Sequence, residues 1–239
     1  MHRVTDAKST PAPSRAAKTR APRRGGRPSR AEAERLGETI LDVASDLFLT
    51  QGYGVTSIEA IARRAGISKR TFYSRFKDKA ELFGAVVHRI VERLRPAGDA
   101  TLFDGASLEE ILVRLARLIL DAALSPQALA LHRVILAEAT RFPDLAAVVT
   151  ERGGSREAVT RIAALLERDA RAGHGVPENA PFAAAQFLQM VIGLPQRRAL
   201  GLGTPMTAPE LDAWARDTVA LFLEGCRGQR RSPTTAGRP

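Results

Sequence analysis

The sequence predicts an all-α fold of about nine helices. Three observations carry that expectation. Long blocks are dominated by Ala, Leu, Arg and Glu, all strong helix formers. Apolar residues recur at three- and four-residue intervals, the period of a one-sided helix. Ser or Thr followed three residues later by Glu marks one helix start after another. Aromatic residues are only 5% of the chain, so Leu, Ala, Ile and Val must build the core. At 239 residues the chain can bury such a core in one or two domains.

Residues 1–28 are rich in Pro, Ala, Ser, Thr and Arg without periodicity and read as a disordered basic arm. The first helix is expected from Ala31 to Thr50, capped by Ser29 with Glu32 completing a capping box. Ile40, Ala44, Leu47 and Phe48 form its apolar stripe, and the glycines of "QGYG" end it. Thr56 is the expected cap of the second helix, with Glu59 at the box position and Ile58, Ile61, Ala62 and Ala65 facing inward. Gly66 stops it, and Ser68 caps a third helix expected over Lys69 to Phe76. Asp78 with Glu81 starts a fourth, continuing through Leu82, Val86, Ile90 and Leu94. Each cap stabilises by ~0.5–2 kcal/mol, so three starts in quick succession hold short helices tightly together.

A helix, a Gly-containing turn and a second, basic helix make a helix-turn-helix. In "GISKRTFYSRFKDKAELF", Phe72 and Phe76 stand four residues apart and are expected inward. Lys69, Arg70, Tyr73 and Arg75 are then expected outward, where a helix of that width fits a DNA major groove. Lys77 and Lys79 fall where phosphates would run, and the Tyr73 hydroxyl can donate to a phosphate.

The charge distribution agrees. Of the net +10, residues 1–30 carry +8, 31–95 carry +2, 96–224 carry −4 and 225–239 carry +4. A slightly acidic body with basic tails and one internal basic cluster is not a general polyanion binder.

The run from Gly37 through Phe83, "GETILDVASDLFLTQGYGVTSIEAIARRAGISKRTFYSRFKDKAELF", closely resembles the DNA-binding domain of TetR/AcrR-family transcriptional regulators. The resemblance implies a three-helix DNA-binding domain at 29–83, its fourth helix continuing to about residue 95. A helical ligand-binding and dimerisation domain at 96–227 and a disordered basic tail at 228–239 would follow. It further implies a dimeric repressor on a palindromic operator, released by a small molecule. Thr56 and Ser57 match the family's phosphate contacts, and Ser68, Lys69, Arg70, Thr71, Tyr73, Ser74 and Arg75 match its recognition helix. Lys79 matches a backbone-contacting lysine at the start of the fourth helix. The stretch "LHRVILAEATRFPDLAAVVTERGG" resembles the C-terminal domain of an AcrR-type subgroup.

Further along, Ser107 opens a strongly amphipathic helix, Pro126 the next, and Pro143 another that is interrupted at Gly153–Gly154 and resumed to Ala172. Two last helices begin near Pro181 and Ala208. In the family's arrangement they pair with a dimer mate, making Phe182, Phe187, Met190, Val191, Trp214, Val219, Leu221 and Phe222 the candidate seam. By itself such a stripe is more often core than interface, and the resemblance is what favours the seam. The candidate effector pocket comprises Leu115, Ile119, His132, Ile135 and Gln186, suited to a hydrophobic or aromatic molecule.

"RRGGRPSR" resembles the minor-groove AT-hook, so Arg23, Arg24 and Arg27 are candidate DNA contacts. Its double glycine departs from the strict hook pattern, leaving attraction to phosphate or minor groove as the expectation and a solvated tail as the alternative. A single cysteine, Cys226, and four scattered histidines offer no metal-ligand set. No nucleophile elbow, phosphate loop or Cys/His pair is found, so no cofactor and no catalysis are expected. No apolar run approaches the roughly 20 residues of a membrane span, and the expected compartment is the cytoplasm. Two rival readings are an architectural protein holding DNA non-specifically through its basic tails, and a small-molecule-processing helical enzyme that retains a DNA-binding domain.

Overall fold

The computed structural model describes residues 29–94, 107–171 and 179–228. The arm with Arg23, Arg24 and Arg27 and the 229–239 tail lie outside the described residues. Within them the chain forms ten α-helices and no strand. These are α1 (Arg30–Gln51), α2 (Ile58–Arg64), α3 (Lys69–Tyr73), α4 (Lys79–Leu94), α5 (Leu108–Ala123), α6 (Pro126–Glu138), α7 (Pro143–Arg152), α8 (Ser155–Arg171), α9 (Ala180–Ala199) and α10 (Ala208–Gly228).

The tenth helix, beyond the nine expected, comes from the glycine pair. The Gly153 amide donates to Val149 O at 2.7 Å, closing α7, and Gly154 turns at φ +77°. A Cβ on Gly154 would lie 2.8 Å from Val91 Cγ1 of α4, so a glycine there lets the α7–α8 corner seat against α4.

The caps act largely as the residues suggest. Ser29 and Glu32 form a reciprocal box, with Ser29 N–H donating to Glu32 at 2.8 Å and Glu32 N–H to Ser29 Oγ at 3.2 Å. Ser57, not Thr56, caps α2, its hydroxyl accepting from Ala60 N–H at 3.1 Å. Thr56 has the capping-box spacing to Glu59, but it is buried and donates to Gly52 O at 2.7 Å. Regular helix in α3 ends at Tyr73, three residues earlier than expected, because the chain tightens there: Arg75 N–H donates to Phe72 O at 2.9 Å.

Two apolar cores result. The first joins Ile40, Phe48, Ile61, Phe72, Phe83 and Val87 of α1–α4 to Leu131 and Val134 of α6 and Leu145 of α7. The second joins Leu112 and Leu120 of α5, Leu166 of α8, Phe187 and Val191 of α9, and Val219 and Phe222 of α10. The buried residues of α6 and α7 therefore join the core of the N-terminal helices, while Arg133 of α6 reaches Ala199 O at the end of α9 at 3.3 Å.

That packing puts half of the candidate seam residues in the chain's own core. Phe187, Val191 and Val219 are fully buried within the chain itself and Phe222 nearly so, with the Phe187 and Phe222 rings 5.0 Å apart. Trp214 and Met190 are half-buried, and the Trp214 indole donates to Val191 O at 2.9 Å. Phe182 and Leu221 face outward, 58% and 63% exposed. Period alone could not separate the two faces, since α9 is apolar on both.

Candidate nucleic-acid interface

The reading helix stands on a rigid base. Phe72 is fully buried and meets Phe76 at 5.8 Å between ring centroids, while Phe48, Tyr53 and Phe83 pack together below. Gly66, at φ +67°, makes the turn between α2 and α3, and the Ile67 amide reaches back to Ala62 O at 2.9 Å. Ser68 caps α3 by accepting from Thr71 N–H at 3.1 Å, and its hydroxyl also meets the Thr71 hydroxyl at 2.9 Å. The Ser74 hydroxyl donates to Thr71 O at 2.7 Å. These small hydroxyls are committed to the local backbone, which holds the helix end still.

Four of the cluster's cations are committed as well. Arg64 pairs with Asp46 of α1 at 2.6 Å, and Lys69 pairs with Glu59 of α2. Arg75, expected to project outward, instead turns back and donates to Ala33 O of α1 at 2.6 Å. Lys79, expected on phosphate, turns inward. Its ammonium donates to Tyr53 O at 2.9 Å and Thr56 O at 3.0 Å, and lies 4.3 Å from the Tyr53 ring centroid. The α1–α2 turn leaves those carbonyls without helical partners, and a long cation opposite satisfies them. Burial holds the Lys79 ammonium below the usual lysine range, with Glu138 opposing that shift.

What remains is a short list. Arg63, Arg70 and Lys77 are exposed, and their side chains have no partner among the described residues. Tyr73 is 54% exposed beside them, its ring edge-on to Phe72 at 5.4 Å. Arg63 was not among the sequence candidates. Its signal was available: it stands four residues after Glu59 on one face of α2. Ser57 is exposed at the start of α2, whereas the Thr56 side chain is turned in and cannot meet a phosphate.

This head is clasped from behind. Glu138, at the end of α6, accepts from Gly54 N–H at 2.9 Å, and the Phe142 ring meets Tyr53 edge-on at 5.1 Å. A Cβ on Gly54 would come within 3.1 Å of both Glu138 oxygens, so a larger residue there would push the carboxylate back by a few tenths of an ångström. Arg89 ties α4 to α1 through Asp42 at 2.9 Å and Glu38 at 3.2 Å.

The predicted effector set is not brought together. Leu115 and Ile119 pack on the second core, Ile135 on the first, and Gln186 faces outward. His132 is half-buried on α6, where burial pushes its imidazole below the usual value. A cleft of about 450 Å³ lies elsewhere, between α4 and the α7–α8 corner, lined by His88, Val91, Glu92, Glu151, Gly154, Arg156 and Glu157. Its lining is mostly charged, unlike the apolar pocket expected. Among the described residues no group of three or more His, Cys, Asp or Glu could hold a metal, and no single helix is long and apolar enough to cross a membrane.

A helix-turn-helix with a protruding basic reading helix, backed by a helical bundle, defines a DNA-binding regulator. Residues 40–86 match the family model for bacterial regulatory proteins of the tetR family, and residues 110–225 match the C-terminal domain of AefR-like transcriptional repressors. The chain belongs to the TetR/AcrR family of transcriptional regulators, whose members are not enzymes. It is 42% identical over 72 residues to the transcriptional activator FasR of Mycolicibacterium smegmatis, covering 30% of this chain and 32% of that one. It is also 42% identical over 60 residues to AcrR of Shigella flexneri, covering 25% of this chain and 28% of that one. These two alignments thus span about a third or less of each relative. Solved structures align more fully. The flavonoid-responsive regulator FrrA shares 33% identity at a TM-score of 0.67, covering 81% of this chain and 97% of that one. A TetR-family regulator from Mesorhizobium loti shares 29% at 0.66, with the same coverage.

Proposed function

We propose that the chain is a dimeric repressor that binds a palindromic operator and is released by a small hydrophobic or aromatic effector. One observation carries the reading: Arg70 and Tyr73 project uncommitted from a helix whose other polar groups are tied down. A cation without an internal partner on a rigid helix can make bidentate bonds to guanine O6 and N7. Arg63, Lys77 and exposed Ser57 flank it, where phosphates would position the helix.

One such head binds weakly, and two matched to half-sites about 34–36 Å apart bind specifically. Exposed Phe182 near the start of α9 and Leu221 in the second half of α10 support pairing of those helices with a second copy. The AefR-like match supports repression, and FrrA, a flavonoid-responsive regulator, supports an aromatic effector. The clasp of Glu138 and Phe142 on the α1–α2 turn supplies a path for release. An effector that shifts α6 pulls on the turn leading into α2, and so moves the reading head against its mate. Work on DNA supports a cytoplasmic location.

Selection of random duplex DNA by the purified protein at about 150 mM salt tests the reading. The expected result is a palindrome with half-sites near one helical turn apart, dissociated by a flavonoid-type aromatic. Tight binding without an enriched sequence would refute it and favour the architectural role.

A further inference from the structure

Next to Arg70 in α3, Lys69 holds an acid. Glu59, in the first turn of α2, reaches across to Lys69, the first residue of α3, and accepts from its ammonium. The two side chains are 56% and 57% exposed, so the pair lies open to a ligand. Lys69 stands at the N-terminal end of α3, the end from which reading helices send side chains to base edges. For a protein that only had to hold a polyanion, a carboxylate here is unfavourable: it repels phosphates and cancels a cation. Its presence makes sense if it reads something that donates.

We propose that Glu59 is a base-reading residue, and that Glu59 and Lys69 together recognise one C·G pair in each half-site. An ionised carboxylate only accepts hydrogen bonds, and an ammonium only donates. In the major groove, cytosine offers its N4 donor, while the guanine paired with it offers the O6 and N7 acceptors. The two side chains match those two edges in one base pair. Adenine also donates, from N6, but its adjacent N7 acceptor repels a carboxylate; thymine and guanine present acceptors alone. Lys69 keeps two of its three donors after meeting Glu59, enough for guanine. Its ammonium and the first-turn backbone of α2 hold the Glu59 carboxyl below the usual range, so it remains an acceptor at neutral pH.

This inference rests on the operator-binding reading above, and parallel selections separate the two. Wild type, Glu59→Gln and Glu59→Ala are each selected against random duplex DNA, with thermal melts confirming that these exposed substitutions leave the fold intact. Wild type should enrich a palindrome with a C·G pair at one position per half-site. Glu59→Gln should move that position toward A·T, since glutamine pairs with adenine N6 and N7. It should also bind the wild-type operator roughly tenfold more weakly per half-site. Glu59→Ala should lose the base preference there, while affinity for random DNA rises and its salt slope steepens. If both variants enrich the wild-type sequence unchanged at every position, Glu59 only tempers the charge of Lys69 and the inference is overturned. If wild type itself enriches nothing, operator binding falls, and this inference with it.

Discussion

Arg70 and Lys79 stand nine residues apart in one basic cluster, yet the fold uses them in opposite ways. Arg70, the second residue of α3, projects without a side-chain partner among the described residues. Lys79 opens α4 pointing inward, bonded to Tyr53 O and Thr56 O, over the Tyr53 ring and facing the Glu138 region. The difference lies in what each meets. Around α3 the nearby carbonyls are taken by the helix ladder and by Ser74. Around Lys79 the α1–α2 turn presents carbonyls that have no helix to satisfy them. Cation density marks the neighbourhood of a DNA-binding surface, and the acceptors left over by neighbouring elements decide which cations reach it.

Substitutions separate the two regions, starting with the one that supports both. Phe72→Ala empties the centre of the first core beneath α3, and should cost about 3–5 kcal/mol. Chemical denaturation would record it, and DNA binding should be lost along with the head. Lys79→Met comes next. It leaves the turn carbonyls unpaired in a half-buried site and should cost about 1–3 kcal/mol. The salt slope of DNA binding should be unchanged wherever the variant is folded. A slope reduced by about one with no loss of melting temperature would return Lys79 to the phosphate backbone and erase the contrast.

Arg70→Ala should do the reverse. The melting temperature holds, and discrimination at one base position per half-site drops by about 1–3 kcal/mol. Uniform weakening on all sequences would instead make Arg70 a phosphate contact. The smallest effect belongs to α6, behind the clasp. Burial lowers the His132 pKa in the folded protein below its ordinary value near 6.5, so the unfolded chain takes up the proton more readily. Its contribution to stability is complete above that value and is lost as the pH falls through the window beneath it. In His132→Gln, the drop in denaturation midpoint between pH 7 and pH 5 should be shallower than in wild type.

Much of the head is legible in the sequence because its signals are local. Ser29, Gly66, Ser68 and Asp78 bracket the helices within a residue or two, since a cap or a left-handed turn is settled by its own few neighbours. Expectation and structure part where the deciding neighbour is distant in sequence. Thr56 and Ser57 are both chemically able to cap α2, and only the packing of the α1–α2 turn buries the first. The helical phase of Arg75 points outward, but Ala33, forty-two residues upstream, supplies the acceptor that draws it back.

The sequence by itself determined the all-α class, the order of the N-terminal helices, the position of the reading helix and the family. Each rests on short-range caps, on a 3.6-residue period, or on a contiguous motif. Tertiary structure alone decided that α6 and α7 share the core of the head, and that Phe187, Val191, Val219 and Phe222 lie in the chain's own core. It also decided which cations remain uncommitted and that Glu59 lies beside Lys69. A periodic pattern says that a helix has an apolar side, but not which other helix covers it. A charge likewise acquires its role from the nearest group able to neutralise it, and only folding brings that group within reach.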